Sequence, residues 1–474
     1  VLRLVSENKS LSNDLTQFSA ISLAAMIRQR VVSPVEVVEA YLRRIDDINP
    51  RLNAIISLAP DVLDRARDAE KAQTRGASLG ALHGVPLTIK DTIETAGLHT
   101  VAGSRRLIDH VPLDDAPAVA RLKAAGALIL GKTNVPEIAM TYECENPVYG
   151  RTLNPHNELF SPGGSSGGEA VAIAAHMSPA GLGTDLSGSI RIPANFCGIF
   201  GLKPTSGLVP TGGHIPPVIG PLSLGAAFGP MARSVEDLRL IFGALKGDGL
   251  PRLSVKTDTK VWKVCWYTGN AESPVSDDVA TAVHAAVDVF RRKSNTLVES
   301  PPPFIAQATS LWIKLFGRVA PAYATSLYSA REDEAGEYVR KVLSSYHKTP
   351  VPTEADLSSI QIEYESAKEK VMAFLDGCDF VVAPVGATGA FPLGERKLAV
   401  GNTTMGVFQA FAHSQFCNVF GLPAVAAPVG RRPDGVPMGV QLIGRPGADE
   451  QLLVAAQRLE EAFSWTGING TGIG

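Results

Sequence analysis

Between Gly163 and Arg191 the chain sets Ser165, Ser166, Ser187 and Ser189 among seven glycines. Glycine gives up more backbone entropy on folding than any other residue, so such a density needs a cause. The usual one is a loop whose backbone N–H groups must approach something closely. Hydroxyls held in such loops, with amides aimed beside them, are the components of an acyl-transfer site. A Gly/Ser linker has a similar composition. Here, however, the helix-like EAVAIAA and the strand-like PAGLGT follow at once, and a linker has no use for core-forming neighbours. Ser165 and Ser166 start one helix-like run, and Ser189 starts another, SIRIPANF. A helix N-terminus carries unpaired N–H groups and partial positive charge, which stabilise an oxyanion. Ser189 is therefore the nucleophile candidate. The backbone N–H groups of Leu186, Ser187, Gly188 and Ser189 itself are the candidate oxyanion donors.

A serine nucleophile needs a base. The nine histidines include His83, His156, His176, His214 and His413. None lies in a G-x-S-x-G setting and no Ser–His–acid order emerges, so core or surface roles suit them better. Lys90 is the better base. It ends the apolar strand pattern of GVPLTIKD (84–91), where burial disfavours the ammonium and draws its pKa from about 10.4 toward neutrality. Pairing of Lys90 with Asp91 or a core carboxylate explains the same position, and the residues alone leave both open. A Walker-type pattern runs from Gly126 to Gly131, Lys132 and Thr133. In a true phosphate loop the strand precedes the first glycine. Here the four intervening residues, Ala-Leu-Ile-Leu, are themselves the strand, so the pattern does not indicate nucleotide binding.

The elements that must position these groups are legible in outline. Ser19 marks one helix start, and Ser33 with Pro34 and Glu36 marks a second that Asn49-Pro50 ends. Residues 60–75 form a charged amphipathic helix. GVPLTIKD then opens a helix–strand alternation that continues through 116–136 and 168–202. Alternation of this kind predicts an α/β fold with a largely parallel or mixed sheet covered by helices. From about 250 to 400 the pattern loosens. DFVVAPV (379–385) is strand-like, 428–444 is turn-rich, and EQLLVAAQRLEEAF is a terminal helix. The net charge of −3 argues against a dedicated nucleic-acid binder. Cys144, Cys197, Cys265, Cys378 and Cys417 are odd in number and form no C-x-x-C pair, so neither zinc nor a disulfide framework is expected. The start lacks signal-peptide character and no apolar run reaches membrane-spanning length. A soluble, cytoplasmic protein is expected.

Taken together, GVPLTIKD, SPGGSSGGEA (161–170), GTDLSGSIRIPANFCGIFGLKPT (183–205) and GPMARSVEDL (229–238) resemble the amidase signature family, in that family's order. The resemblance runs from about residue 19 to the terminal helix. It implies one large α/β domain over 1–474, a central mixed sheet covered on both faces by helices. Its parts would be an N-terminal arm (1–18), a catalytic core (80–240), a variable substrate-facing region (about 250–400) and a C-terminal part of the core (401–474). It also implies a Ser–cis-Ser–Lys triad. Ser189 would attack, Ser165 after a cis peptide bond would relay the proton, and neutral Lys90 would receive it. Ser166 would support the lysine by hydrogen bonding, and Asp185 with Arg191 would brace the loop as an ion pair.

One letter departs from the family pattern: Ser187 stands where glycine is common. If that position needs a positive φ, Ser187 is strained; otherwise its hydroxyl adds a donor or narrows the pocket. The stretch 141–155 is similar to fatty-acid-amide and acetamidase-like members, and urethane-cleaving members also look alike. The implied activity is hydrolysis of the C–N acyl bond of small, fairly apolar amides, with esters and carbamates as further substrates and no cofactor or metal. The alternative is the glutaminase component of a tRNA-dependent amidotransferase. A non-catalytic scaffold would have no use for a strand-end lysine facing two loop serines. Pocket walls are expected from 139–145, 210–220 and 300–410, with Met140, Tyr142 and Cys144 as candidates. The partner would be a small molecule, with no nucleic acid or membrane, and a homodimer is compatible with the resemblance.

Overall fold

The computed structural model describes residues 14–77, 79–247, 261–292 and 295–464. Most of the expected N-terminal arm, and the chain beyond Ser464, lie outside the described residues. Ser19 accepts a hydrogen bond from the Ser22 amide and opens helix Ala20–Arg28. Ser33 and Glu36 form a reciprocal capping box, with Pro34 as first residue of helix Pro34–Leu52. This helix continues through Asn49-Pro50, where the sequence signals its end. Asn49 secures the final turn: its side chain accepts from the amides of Ala54 and Ile55 and donates to the Ile55 carbonyl. Leu52 is fully buried there, and left-handed Asn53 (φ 50°) ends the helix.

Eleven strands form the central sheet: β1 (Ile55–Leu58), β2 (Pro86–Lys90), β3 (Leu128–Thr133), β4 (Ala180–Asp185), β5 (Phe200–Lys203), β6 (Ala227–Ala232), β7 (Lys263–Trp266), β8 (Thr296–Glu299), β9 (Phe380–Pro384), β10 (Ala424–Arg431) and β11 (Pro437–Ile443). Their order across the sheet is β1-β3-β2-β4-β6-β5-β10-β11-β9-β7-β8. β2 runs parallel to β3 and β4, whereas β4–β6 and β10–β11 are antiparallel, so the sheet is mixed. β2, β3, β4, β6, β9 and β11 are buried at every position. Successive strand side chains point to opposite faces, so unbroken burial requires cover on both. The Walker-type Gly131-Lys132-Thr133 lies inside β3; it is strand, not loop.

Two expectations need correction. The stretch 428–444 is not merely turn-rich: β10 and β11 pair through it as a hairpin, because apolar residues flank a short Arg-Pro-Asp-Gly turn. The region expected to be variable and substrate-facing (about 250–400) is not only that either, since after 260 it supplies β7, β8 and β9 to the sheet. Helices Ala308–Phe316, Val319–Leu327, Glu337–Lys348 and Glu354–Asp376 lie in the same stretch, followed by a hairpin of Lys397–Val400 and Thr403–Gly406. Among the described residues no helix is long and apolar enough to cross a membrane. All five cysteines are free thiols.

Candidate active site

β2 delivers Lys90 to its end fully buried. Its neighbour β4 pairs Thr88 with Gly181 and Ile89 with Leu182, which brings Thr184 alongside the lysine. Lys90 Nζ lies 2.7 Å from Ser165 Oγ, 2.8 Å from Thr184 Oγ1 and 3.4 Å from the Thr184 carbonyl. Burial pushes its pKa down to about 7, against the upward pull of Asp185, Cys144 and Glu169. Asp91, the alternative partner considered for Lys90, instead accepts from the Val101 amide.

Ser165 precedes helix Gly167–Ala174, whose N-cap is Ser166, and the Gly164–Ser165 peptide bond is cis, as the resemblance implied. Ser166 does not reach Lys90. It donates to the Thr184 carbonyl (3.3 Å) and accepts from the Thr184 amide (3.4 Å), so it fixes the residue that holds the lysine. Ser189 opens on the same cavity as Ser165. The lysine–Ser165 hydrogen bond is thus formed, and Ser189 is tied to the same turn, its carbonyl accepting from the Ser166 amide at 3.1 Å.

The loop between β4 and helix Arg191–Cys197 is folded around Asp185. Arg191 donates to both its carboxylate oxygens at 3.0 Å, the Gly188 and Ile190 amides donate at 2.8 and 3.1 Å, and Asn418 adds a bond at 2.9 Å. Burial opposes ionisation of Asp185, but the guanidinium and these donors outweigh it and hold the carboxyl well below the usual range. Arg191 also reaches Gln441 (2.7 Å) and Asn418 (2.8 Å). The expected ion pair is present, wholly buried.

This arrangement corrects the oxyanion set. The Gly188 amide is consumed by Asp185, which leaves those of Leu186, Ser187 and Ser189. Their peptide planes are pinned from behind: Asn418 donates to the Asp185 carbonyl (3.2 Å), Trp312 to that of Leu186 (2.7 Å) and the Ile192 amide to that of Gly188 (2.7 Å). In a planar trans peptide the N–H points opposite to the C=O, so each bond aims the next amide away from its partner. The positive φ falls on Gly188 (106°), not on Ser187. A side chain at 188 would also meet Ser414 Cβ at 2.6 Å. Ser187 is therefore unstrained, and it lines the cavity.

That cavity, about 500 Å³, is walled mostly by apolar side chains, including Met140, Tyr142, Val218, Trp312, Phe316 and Phe408. Cys144 is not among them. Its thiol faces Thr152 (3.5 Å) and packs against Gly167 in the interior. Arg396 at the rim is paired with buried Glu143. Thr184, His214, Asn418 and Gln441 were not singled out from sequence. Thr184 lies inside the Gly163–Arg191 stretch but is an ordinary strand threonine. The other three come from distant segments, and of them only His214 carried any signal, as one histidine among nine.

The chain matches the Amidase family model over residues 36–453. It is 35% identical to a glutamyl-tRNA(Gln) amidotransferase component of Thermus thermophilus, over 93% of this chain and 97% of that protein. It is 31% identical to an acylamidase of Rhodococcus erythropolis, over 95% and 97%. A crystal structure of an amidase superposes with a TM-score of 0.84 at 28% identity, covering 94% of this chain and 100% of the other. Fold, site and relatives together define an amide-hydrolysing enzyme. The chain belongs to the amidase signature family.

Proposed function

We propose that this enzyme hydrolyses the C–N acyl bond of small, predominantly apolar amides through an acyl-enzyme on Ser189. The observation that carries this reading is a buried lysine, its pKa lowered to about 7, hydrogen-bonded to a serine that lines an apolar cavity. Neutral Lys90 takes the Ser165 proton while Ser165 takes that of Ser189, whose oxygen adds to the carbonyl carbon. The amides of Leu186, Ser187 and Ser189 face the developing oxyanion, where each donor is worth roughly 10²–10³ in rate. The proton returns along the same path to the leaving amine, the C–N bond breaks, and water cleaves the ester on Ser189. Esters and carbamates present the same carbonyl and are candidate substrates.

A second reading, the glutamine-hydrolysing component of an amidotransferase, is favoured by the 35% identity to a protein of that kind. The cavity weighs against it: its walls are apolar and the cation at its rim is already paired. Incubation with the 4-nitroanilide, 4-nitrophenyl ester and aryl carbamate of butyric-sized groups, and with glutamine, separates the two. The proposal expects turnover of at least one aryl substrate, abolished in Ser189→Ala, and little or none of glutamine. Glutamine turnover alone supports the second reading. Equal rates for wild type and Ser189→Ala overturn both.

A further inference from the structure

His214 stands beside the catalytic lysine without a part in the chemistry above. It arrives there because the strap 213–216 runs antiparallel to the residues just after β2: Ile93 bridges to His214, and the Ile215 amide donates to the Thr92 carbonyl at 2.8 Å. One ring face leans on Phe228, at 5.6 Å between centroids, and the ring borders the cavity. Nδ1 lies 2.6 Å from the Pro216 carbonyl and Nε2 lies 3.2 Å from Thr184 Oγ1.

These two contacts fix the direction of every proton up to Lys90. A carbonyl oxygen only accepts, so Nδ1 carries the hydrogen. Burial, with Lys90 nearby, lowers the His214 pKa to about 4, so the ring is neutral and Nε2 is bare. A bare nitrogen only accepts, so the Thr184 hydroxyl donates to it. Thr184 Oγ1 then has only lone pairs for Lys90, 2.8 Å away.

The consequence falls on the lysine. A neutral amine has two N–H donors and one lone pair. Its donors go to Thr184 Oγ1 and the Thr184 carbonyl, and the lone pair is left for Ser165 at 2.7 Å. Without His214 the Thr184 hydroxyl is free to turn and donate to Lys90 Nζ, occupying the lone pair that must receive the Ser165 proton. We propose that His214 is a positioning residue that sets the polarity of the Thr184 hydroxyl and so keeps the lone pair of Lys90 aimed at Ser165.

The inference rests on Lys90 acting as the base. It is tested by a double-mutant cycle on kcat, at pH 8.5, with the fastest aryl substrate of the panel above. His214→Phe should lower kcat at least 10-fold, and His214→Gln, which offers an acceptor oxygen, should recover most of it. In a Thr184→Val background, where no hydroxyl remains to misdirect, His214→Phe should cost no further activity. Equal losses from His214→Phe in both backgrounds, or failure of His214→Gln to recover kcat while it folds as wild type by circular dichroism, overturn the inference and leave His214 as wall. An inactive wild type would overturn the proposed function instead. The two failures are thereby distinct.

Discussion

Lys90 has a base's pKa because β2 carries it into the interior, and the sign of that shift has two measurable consequences. The base must be neutral to accept a proton, so kcat/KM should be level above about pH 7 and fall roughly tenfold per unit below it. An unperturbed lysine would put that limb above pH 10. Stability also rises with pH, but over the window above that limb. The folded-state pKa lies below the free value of 10.5, so the unfolded chain holds the proton more tightly and the fold is penalised at pH below 10.5, fully so below about 7. Lys90→Met keeps the volume and removes the charge. It should cost at least about 10²–10⁴ in rate, yet raise the melting temperature at pH 7, with the gain shrinking as pH approaches 10. A lower melting temperature at pH 7, or an acid limb above pH 9, contradicts a buried neutral base. Lys90 was legible as a candidate because a lysine closing an apolar strand is chemically out of place, although only the family resemblance singled it out as the base. Thr184 and His214 were not legible, since a threonine in a strand is ordinary and the strap bearing His214 meets Lys90 only through tertiary pairing.

At the scale of elements, the loop from Asp185 to Arg191 behaves as one unit: a carboxylate gathers two loop amides, an arginine and an asparagine, and thereby aims the remaining amides. Asp185→Asn would leave Arg191 buried beside a neutral amide. Losing one partner of a buried pair costs about 3–5 kcal/mol, so its urea midpoint should fall clearly below that of wild type at pH 7. The carboxyl is held below its free value of 3.8, so its contribution is complete above that pH and fades as pH falls through the folded value. The gap between variant and wild type should therefore narrow in acid. A variant as stable as wild type at pH 7 would mean the loop does not depend on this pair. The helix starts were readable in advance because caps are local signals, and the ion pair was implied by the family resemblance. Pro50 within its helix, the Gly188 amide turned to Asp185, and the β10–β11 hairpin were not readable, since proline- and glycine-rich text does not by itself say whether the flanking chain stops, turns back on a carboxylate or pairs.

Over the whole molecule, the alternation of strands and helices was enough to anticipate a helix-covered α/β sheet, and the family resemblance made it mixed with cover on both faces. The segments of the cavity wall were anticipated in outline, whereas the side chains that face it had to be seen. Its wall is assembled from residues 138–143, 214–228, 312–342 and 396–408, which share no periodicity and meet only after the sheet has formed. Cys144 shows the limit: two residues from Tyr142 in a loop, it faces the interior while Tyr142 faces the cavity. What the assembled wall offers is apolar area within about 500 Å³, and that sets how affinity should depend on the substrate. Each methylene moved from water into such a site is worth about 0.8 kcal/mol, or roughly fourfold in kcat/KM at about 1.4 kcal/mol per factor of ten. In a series of 4-nitroanilides from acetyl upward, kcat/KM should climb by about that factor per carbon and then stop abruptly once the cavity is filled. Phe316→Ala, at the wall and remote from Lys90 in sequence, should shift the break to longer chains while leaving the rate with the acetyl member within a few-fold of wild type. A flat series, or one that falls from the first added carbon, would show that the apolar wall does not receive the acyl chain.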